Sequence, residues 1–216
     1  MHTEIEAVVF DFGGVLTWSP PDQHTERLQR LCGLDRETFD RRYMRKRGEY
    51  DRGAIDTREY WSRVVDSKAP PPGSEVVRSL LEADIVAWTR LNQAVLNWAQ
   101  ALQGEGLSTG ILSNMPWDML EAIYEKCTWI ERFPARIFSC EVGMIKPEPG
   151  IYRACSDALG LVESKILFLD DRPENIEGAL RAGMRAVRFR DLGDALGRIA
   201  AGGWLAPRLT DIQEYR

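Results

Sequence analysis

The sequence predicts an α/β fold: a doubly wound parallel (Rossmann-like) sheet core with an all-helical cap inserted after the first strand. Three observations predict it. Ala7-Val8-Val9-Phe10 is an apolar run that ends on Asp11 and the pair Gly13-Gly14. Such a run suits a strand buried on both faces, and the glycines force a tight turn after it. Residues 17–90 carry helical patterns and no convincing strand. Beyond Asn92, strand and helix patterns alternate, as they do where helices join parallel strands. The expected limits are 1–16 and 91–216 for the core and 17–90 for the cap.

In order after the first strand, Ser19-Pro20-Pro21-Asp22 is a linker with a helix start signal. Thr25 to Cys32 reads as a helix stopped by Gly33, and Arg36 to Arg47 as a charged helix ended by Gly48. Asp56 or Thr57 caps a helix containing Tyr60 and Trp61. Pro70-Pro71-Pro72-Gly73 is a break, and Ser74 to Val86 is helical, with Val77, Leu80, Leu81 and Ile85 on one face. Gln93 to Gln103 is helix, Thr109 to Ser113 strand, and Trp117 to Cys127 helix behind Pro116. Ala135 to Ser139 is strand, and Pro149 to Leu159 is helix closed by Gly160. Lys165 to Asp170 is the clearest later strand. Glu174 to Ala182 is helix ending on Gly183, Ala186 to Phe189 the last strand, and Leu192 to Ala201 the last helix.

The bulk numbers exclude several classes. The chain has 216 residues, 44% of them hydrophobic, which suffices for one domain with an insertion. A net charge of −5 argues against nucleic acid as a partner, because phosphate backbones call for a basic face. No apolar run approaches the ~20 residues that span a bilayer, so no membrane partner is expected. The acidic start, Met1 to Glu6, does not look like a signal peptide. Cys32, Cys127, Cys140 and Cys155 form no C-x-x-C pair and read as reduced, buried thiols of a cytoplasmic protein. A thiol nucleophile is disfavoured, since the only histidines are His2 and His24, both near the N-terminus.

Four features fall at or just beyond strand ends, where open parallel sheets place their ligands. They are Asp11; Ser113-Asn114; Lys146 in Lys146-Pro147; and Asp170-Asp171, with Asn175 after them. Singly, each has a plainer reading: a turn aspartate, a helix cap, a solvated lysine. The aspartate pair resists one, because adjacent carboxylates at the end of a buried strand need a cation or strong donors.

Together these stretches resemble, in order and type, the four motifs of the haloacid dehalogenase superfamily, and the resemblance spans nearly the whole chain. The first motif is Phe10-Asp11-Phe12-Gly13-Gly14-Val15-Leu16, the second Leu112-Ser113-Asn114, the third Lys146-Pro147, and the fourth Leu169 to Asn175. Lys146 to Tyr152 and the turn Gly53 to Thr57 inside the cap are also typical. The resemblance implies a Mg²⁺-dependent hydrolase, a phosphatase acting on a small phosphorylated substrate. Asp11 would attack phosphorus to give an aspartyl-phosphate. The Asp11 side chain, the Gly13 carbonyl and the Asp171 side chain would hold Mg²⁺, with Asp170 behind them or bound through water. Ser113 and the Asn114 amide would donate to the phosphoryl group, and Lys146 would hold that group and Asp11 together. The resemblance is also compatible with homodimerisation through the cap.

At one position the pattern is broken. Most phosphatases of this superfamily carry an acid/base aspartate two residues after the nucleophile, and here that residue is Gly13. Losing a general acid/base costs on the order of 10²–10⁴-fold in rate. Two alternatives to efficient phosphatase action follow: a catalytically weak phospholigand-binding protein, or a dehalogenase-like hydrolase whose halide leaves without a proton. The paired fourth-motif acids count against the dehalogenase. Glu49, Asp51 and Asp56 are cap acids that could supply the missing proton. The arginine-rich helix from Arg36 reads as a solvated charged face, with one or two arginines, or Tyr43, free to face the site. Trp18 is expected at the mouth of the site or the cap hinge. Trp61, Trp88 and Trp98 are expected in the core, and Trp117 in either place.

Overall fold

A computed structural model describes residues 5–65 and 73–215. The expected break at Pro70 to Pro72 lies outside the described residues.

Five parallel strands form one sheet in the order β3-β2-β1-β4-β5. They are β1 (Ala7–Phe10), β2 (Ser108–Ser113), β3 (Ala135–Phe138), β4 (Ile166–Asp170) and β5 (Arg185–Arg188). The central strand β1 pairs with β2 through Ala7↔Ser108 and with β4 through Ala7↔Ile166. Its side chains alternate between two apolar layers, as strand geometry requires. Val8 and Phe10 pack on one face with α6 (Gln93–Gly104), α7 (Trp117–Lys126) and α11 (Leu192–Gly202). Ala7 and Val9 pack on the other with α9 (Pro149–Leu159) and α10 (Pro173–Arg181). This is the doubly wound α/β arrangement the sequence predicts. The turns at Pro207–Thr210 and Ile212–Tyr215, which carry no sequence signal of their own, pack on α6 and α11. There Trp98 Nε1 donates to the Leu209 carbonyl at 2.9 Å.

Between β1 and α6 lie α1 (Asp22–Cys32), α2 (Arg36–Arg45), α3 (Arg47–Asp51), α4 (Thr57–Val64) and α5 (Ser74–Trp88). They enclose an apolar cluster of their own, built from Leu28, Phe39, Tyr50, Tyr60, Trp61, Val64 and Leu80. Ile85, near the end of α5, belongs instead to the sheet core. Asp35 and Asp56 cap α2 and α4, accepting from the amides of Thr38 and Glu59. The two segments that enter and leave this region pair with each other. Trp18 N donates to the Arg90 carbonyl at 2.8 Å, Asn92 N to Leu16 at 2.9 Å, and Thr17 bridges Leu91.

Two expectations need correction. The single helix from Arg36 to Arg47 is two helices, interrupted at Lys46, whose backbone (φ −122°, ψ 11°) leaves the helical region; Gly48 lies inside the second. Arg47 turns inward, where its guanidinium bonds Asp51 and Asp84, while Arg36 and Arg41 stay on the surface beside Asp40 and Glu37. Trp88 is not a plain core residue either; it lines the candidate site.

Candidate active site

The strand order explains why the four sequence features meet. Asp11 follows the central strand; Ser113 and Asp170 end the strands on either side of it. Asp11, Gly13, Ser113, Asn114, Lys146 and Asp171 line one cavity of about 180 Å³, and Asp170 lies buried behind it.

Lys146 is the hub. Its Nζ lies 2.8 Å from Asp11 Oδ1 and 2.7 Å from Asp170 Oδ2, and donates to the Leu112 carbonyl at 2.9 Å. Burial alone would lower its pKa, but the two carboxylates outweigh burial and raise it, so the ammonium stays charged. Asn114 fixes the Lys146 backbone from both sides: its Oδ1 accepts from Lys146 N at 2.8 Å and its Nδ2 donates to Lys146 O at 3.1 Å.

Asp170 is saturated. Besides Lys146 it accepts from Arg172 N at 2.8 Å and from Asn175 Nδ2 at 3.0 and 2.9 Å. Asn175 is thus a site residue with a clear task, which the motif contains but its spacing does not reveal. Asp171 faces the cavity and presses on Gly14. A Cβ on Gly14 would lie 2.8 Å from the Asp171 carboxyl carbon, and its φ of +78° is a left-handed value suited to glycine.

Asp11, Asp170 and Asp171 offer oxygens that all lie within 4.8 Å of one another. Three carboxylates share one buried ammonium, that of Lys146, with Arg172 at the rim, so the ionised cluster carries excess negative charge. Burial, chiefly, raises the pKa of Asp11; Lys146 opposes that shift, and Asp170 and Asp171 add to it. Burial and then Asp170 raise Asp171 as well. A small divalent cation with hard oxygen ligands fits this donor set and would draw both groups back to the ionised form.

The other wall comes from the cap and from Trp88. Tyr43, Met44, Arg47 and Asp51 line it, with Met115 and Met119 from the core. A Cβ on Gly13 would come within 2.8 Å of the Trp88 ring, so the indole occupies the space a side chain at position 13 would need. Of the three cap acids singled out from the sequence, only Asp51 lines the cavity. Glu49 pairs with Lys46 and Arg63, and Asp56 caps α4. Trp18 is 47% exposed beside the hinge, and Trp117, also 47% exposed, lies against Gly53 of the cap. All four cysteines are free and buried, and none of them lines the cavity.

The profile of haloacid dehalogenase-like hydrolases matches residues 5–183. The chain belongs to the haloacid dehalogenase-like hydrolase family. Within it, Phosphatase MT3486 of Mycobacterium tuberculosis is 29% identical over 192 residues, which cover 84% of this chain and 86% of that protein. Bifunctional epoxide hydrolase 2 of Rattus norvegicus is 36% identical over 113 residues. That match takes in 49% of this chain and only 20% of the longer protein. Among solved structures, a HAD family enzyme of Bacteroides thetaiotaomicron in complex with magnesium and inorganic phosphate has a TM-score of 0.66 at 18% identity, covering 87% of this chain and 96% of that one. At that identity the likeness concerns the fold. The L-2-haloacid dehalogenase of Xanthobacter autotrophicus with chloropropionic acid covalently bound also has a TM-score of 0.66, at 25% identity over 98% of this chain and 89% of that one. No helix among the described residues is long and apolar enough to cross a membrane.

Proposed function

We propose that this haloacid dehalogenase-like hydrolase is a Mg²⁺-dependent phosphatase that cleaves a small phosphorylated substrate by way of an aspartyl-phosphate on Asp11. The observation that carries the reading is the cluster of three carboxylates around one buried lysine, at the floor of a cavity of about 180 Å³. That volume is below the few hundred Å³ usual for ligand pockets and favours a small substrate. The magnesium complex of the Bacteroides neighbour and the mycobacterial phosphatase support the same reading.

The Asp11 side chain, the Gly13 carbonyl and the Asp171 side chain would hold the metal. Asp170 stays behind them, because its oxygens are already engaged by Lys146, Arg172 and Asn175. When bound, the cation supplies neutralising charge beside the phosphoryl oxygens. Lys146 orients Asp11 through its 2.8 Å contact and places positive charge where the phosphoryl group arrives. Ser113 and the Asn114 amide donate to that group from the end of β2.

Gly13 and the dehalogenase likeness favour a second reading, displacement of halide from carbon, which needs no proton at the leaving group. The excess negative charge of the cluster argues against it, since it would repel the carboxylate of a haloacid. The test is phosphate release from 4-nitrophenyl phosphate with and without Mg²⁺. Metal-dependent release that Asp11→Asn abolishes is expected. Halide release from 2-chloropropionate without metal, and no phosphate release, would overturn the phosphatase reading.

A further inference from the structure

The structure leaves the reaction at Asp11 without a proton carrier in the turn after β1, and it closes that side. Gly13 has no side chain, and the Trp88 ring fills the space above it. A leaving oxygen on phosphorus must therefore meet its proton from the facing wall. The acid on that wall is Asp51, at the end of α3.

Asp51 is held on both of its polar sides. Arg47 Nε donates to Asp51 Oδ1 at 2.8 Å. The Asp51 carbonyl accepts from Ser139 Oγ at 2.5 Å, and that Ser139 hydroxyl accepts in turn from Met115 N at 2.8 Å. Met115 directly follows the Ser113-Asn114 pair, so one hydroxyl ties the cap acid to the phosphoryl-binding end of β2. The next residue reinforces the seat: Arg52 Nη2 lies 2.6 Å from Glu148 Oε1, and Glu148 accepts from Ile145 N beside Lys146. Asp51 thus enters the cavity by virtue of the cap being docked.

We infer that Asp51 is the acid and base of this site, carried by the cap in place of a residue at position 13. The assignment rests on the phosphatase reading. As Asp11 Oδ attacks phosphorus, the bond from phosphorus to the leaving oxygen breaks and its electron pair stays on that oxygen. The Asp51 carboxyl gives this oxygen its proton and becomes a carboxylate. In the second half, Asp51 takes a proton from water as the water oxygen attacks phosphorus. The phosphorus–Asp11 bond breaks, its electron pair returns to the Asp11 carboxylate, and inorganic phosphate and a protonated Asp51 remain.

The surroundings favour the protonated form of this carboxyl over its state in water. Burial, first, raises the Asp51 pKa; Arg47 opposes the shift, Asp84 adds to it, and Arg172 opposes it. Arg47 is shared with Asp84, which lies 3.3 Å from its Nη1 and also accepts from Tyr43, so one guanidinium serves two buried carboxyls. Tyr60 of α4 and Cys140 of α8 (Ser139–Val142) also sense Asp51.

The experiment compares two esters with Mg²⁺ present. 4-Nitrophenyl phosphate has a leaving group that departs unprotonated; benzyl phosphate has one that needs a proton. Asp51→Asn should lower kcat/KM for benzyl phosphate on the order of 10²–10⁴-fold, and for the nitrophenyl ester by less than about tenfold. For benzyl phosphate, wild-type kcat/KM should fall as pH rises through the Asp51 pKa, and D51N should lose that limb. Equal losses on both esters at unchanged thermal stability, or no loss on benzyl phosphate, overturn the assignment. If D51N does not fold, the wild-type leaving-group series decides. A shallow dependence of kcat/KM on leaving-group pKa supports an acid, and a steep one overturns it. No phosphate release by wild type from either ester sinks the phosphatase reading itself, and this assignment with it.

Discussion

At the scale of single residues, position 13 sets the character of the site. In most phosphatases that the first motif resembles, an aspartate stands there; here the Trp88 ring lies 2.8 Å from where its Cβ would be. Gly13→Asp should therefore not restore a missing function. Overpacking a tight site costs about 1–3 kcal/mol, and for a chain of this size each kcal/mol lowers Tm by about 2–4 °C. The expected outcome is a lower Tm by differential scanning calorimetry and no gain in phosphate release from benzyl phosphate. Combined with Trp88→Ala, the same change should destabilise less than the sum of the two single changes. A coupling of roughly 0.5–3 kcal/mol is typical of residues in contact. The neighbouring Gly14 has a different constraint, since its left-handed φ and its contact with Asp171 both exclude a side chain.

At the scale of elements, the joint between cap and core is built from single polar contacts. Ser139 opens α8 and joins Asp51 of α3 to Met115 behind β2, all buried. Ser139→Ala would strand a buried carbonyl and a buried amide, which costs about 1–3 kcal/mol. Thermal unfolding should register a loss of several degrees, whereas Arg52→Ala, which breaks a half-exposed pair with Glu148, should cost about 1 kcal/mol or less. The elements themselves were largely legible in the sequence. Strands β1, β2 and β4 each carry a short apolar run stopped by a polar residue, and Asp11, Ser113 and Asp170 mark those stops. What was not legible depended on contacts between distant segments. Arg47 looks like its exposed neighbours Arg41 and Arg45, and only the fold turns it toward Asp84. Trp88 ends an apolar helical stripe and so reads as core; its partner Gly13 lies on the far side of the cap in sequence. Glu49, Asp51 and Asp56 are equivalent by composition, and the bend at Lys46 together with the Ser139 bridge selects one of them.

At the scale of the whole molecule, the excess negative charge at the sheet edge couples metal binding to folding. Asp11, Asp170 and Asp171 come from two neighbouring strands, and the unfolded chain does not hold them together. A ligand that binds only the folded state stabilises it by about 2.7 kcal/mol when present at one hundred times its dissociation constant. Millimolar Mg²⁺ should therefore raise the Tm of the wild type by several degrees, and Asp171→Asn should remove most of that rise. An equal Mg²⁺ shift in both proteins would count against Asp171 as a ligand. The seating of Trp88 over Gly13 ties together two residues from opposite ends of the helical insertion: a side chain at position 13 finds room only if the ring at position 88 yields, so neither position is free to change alone.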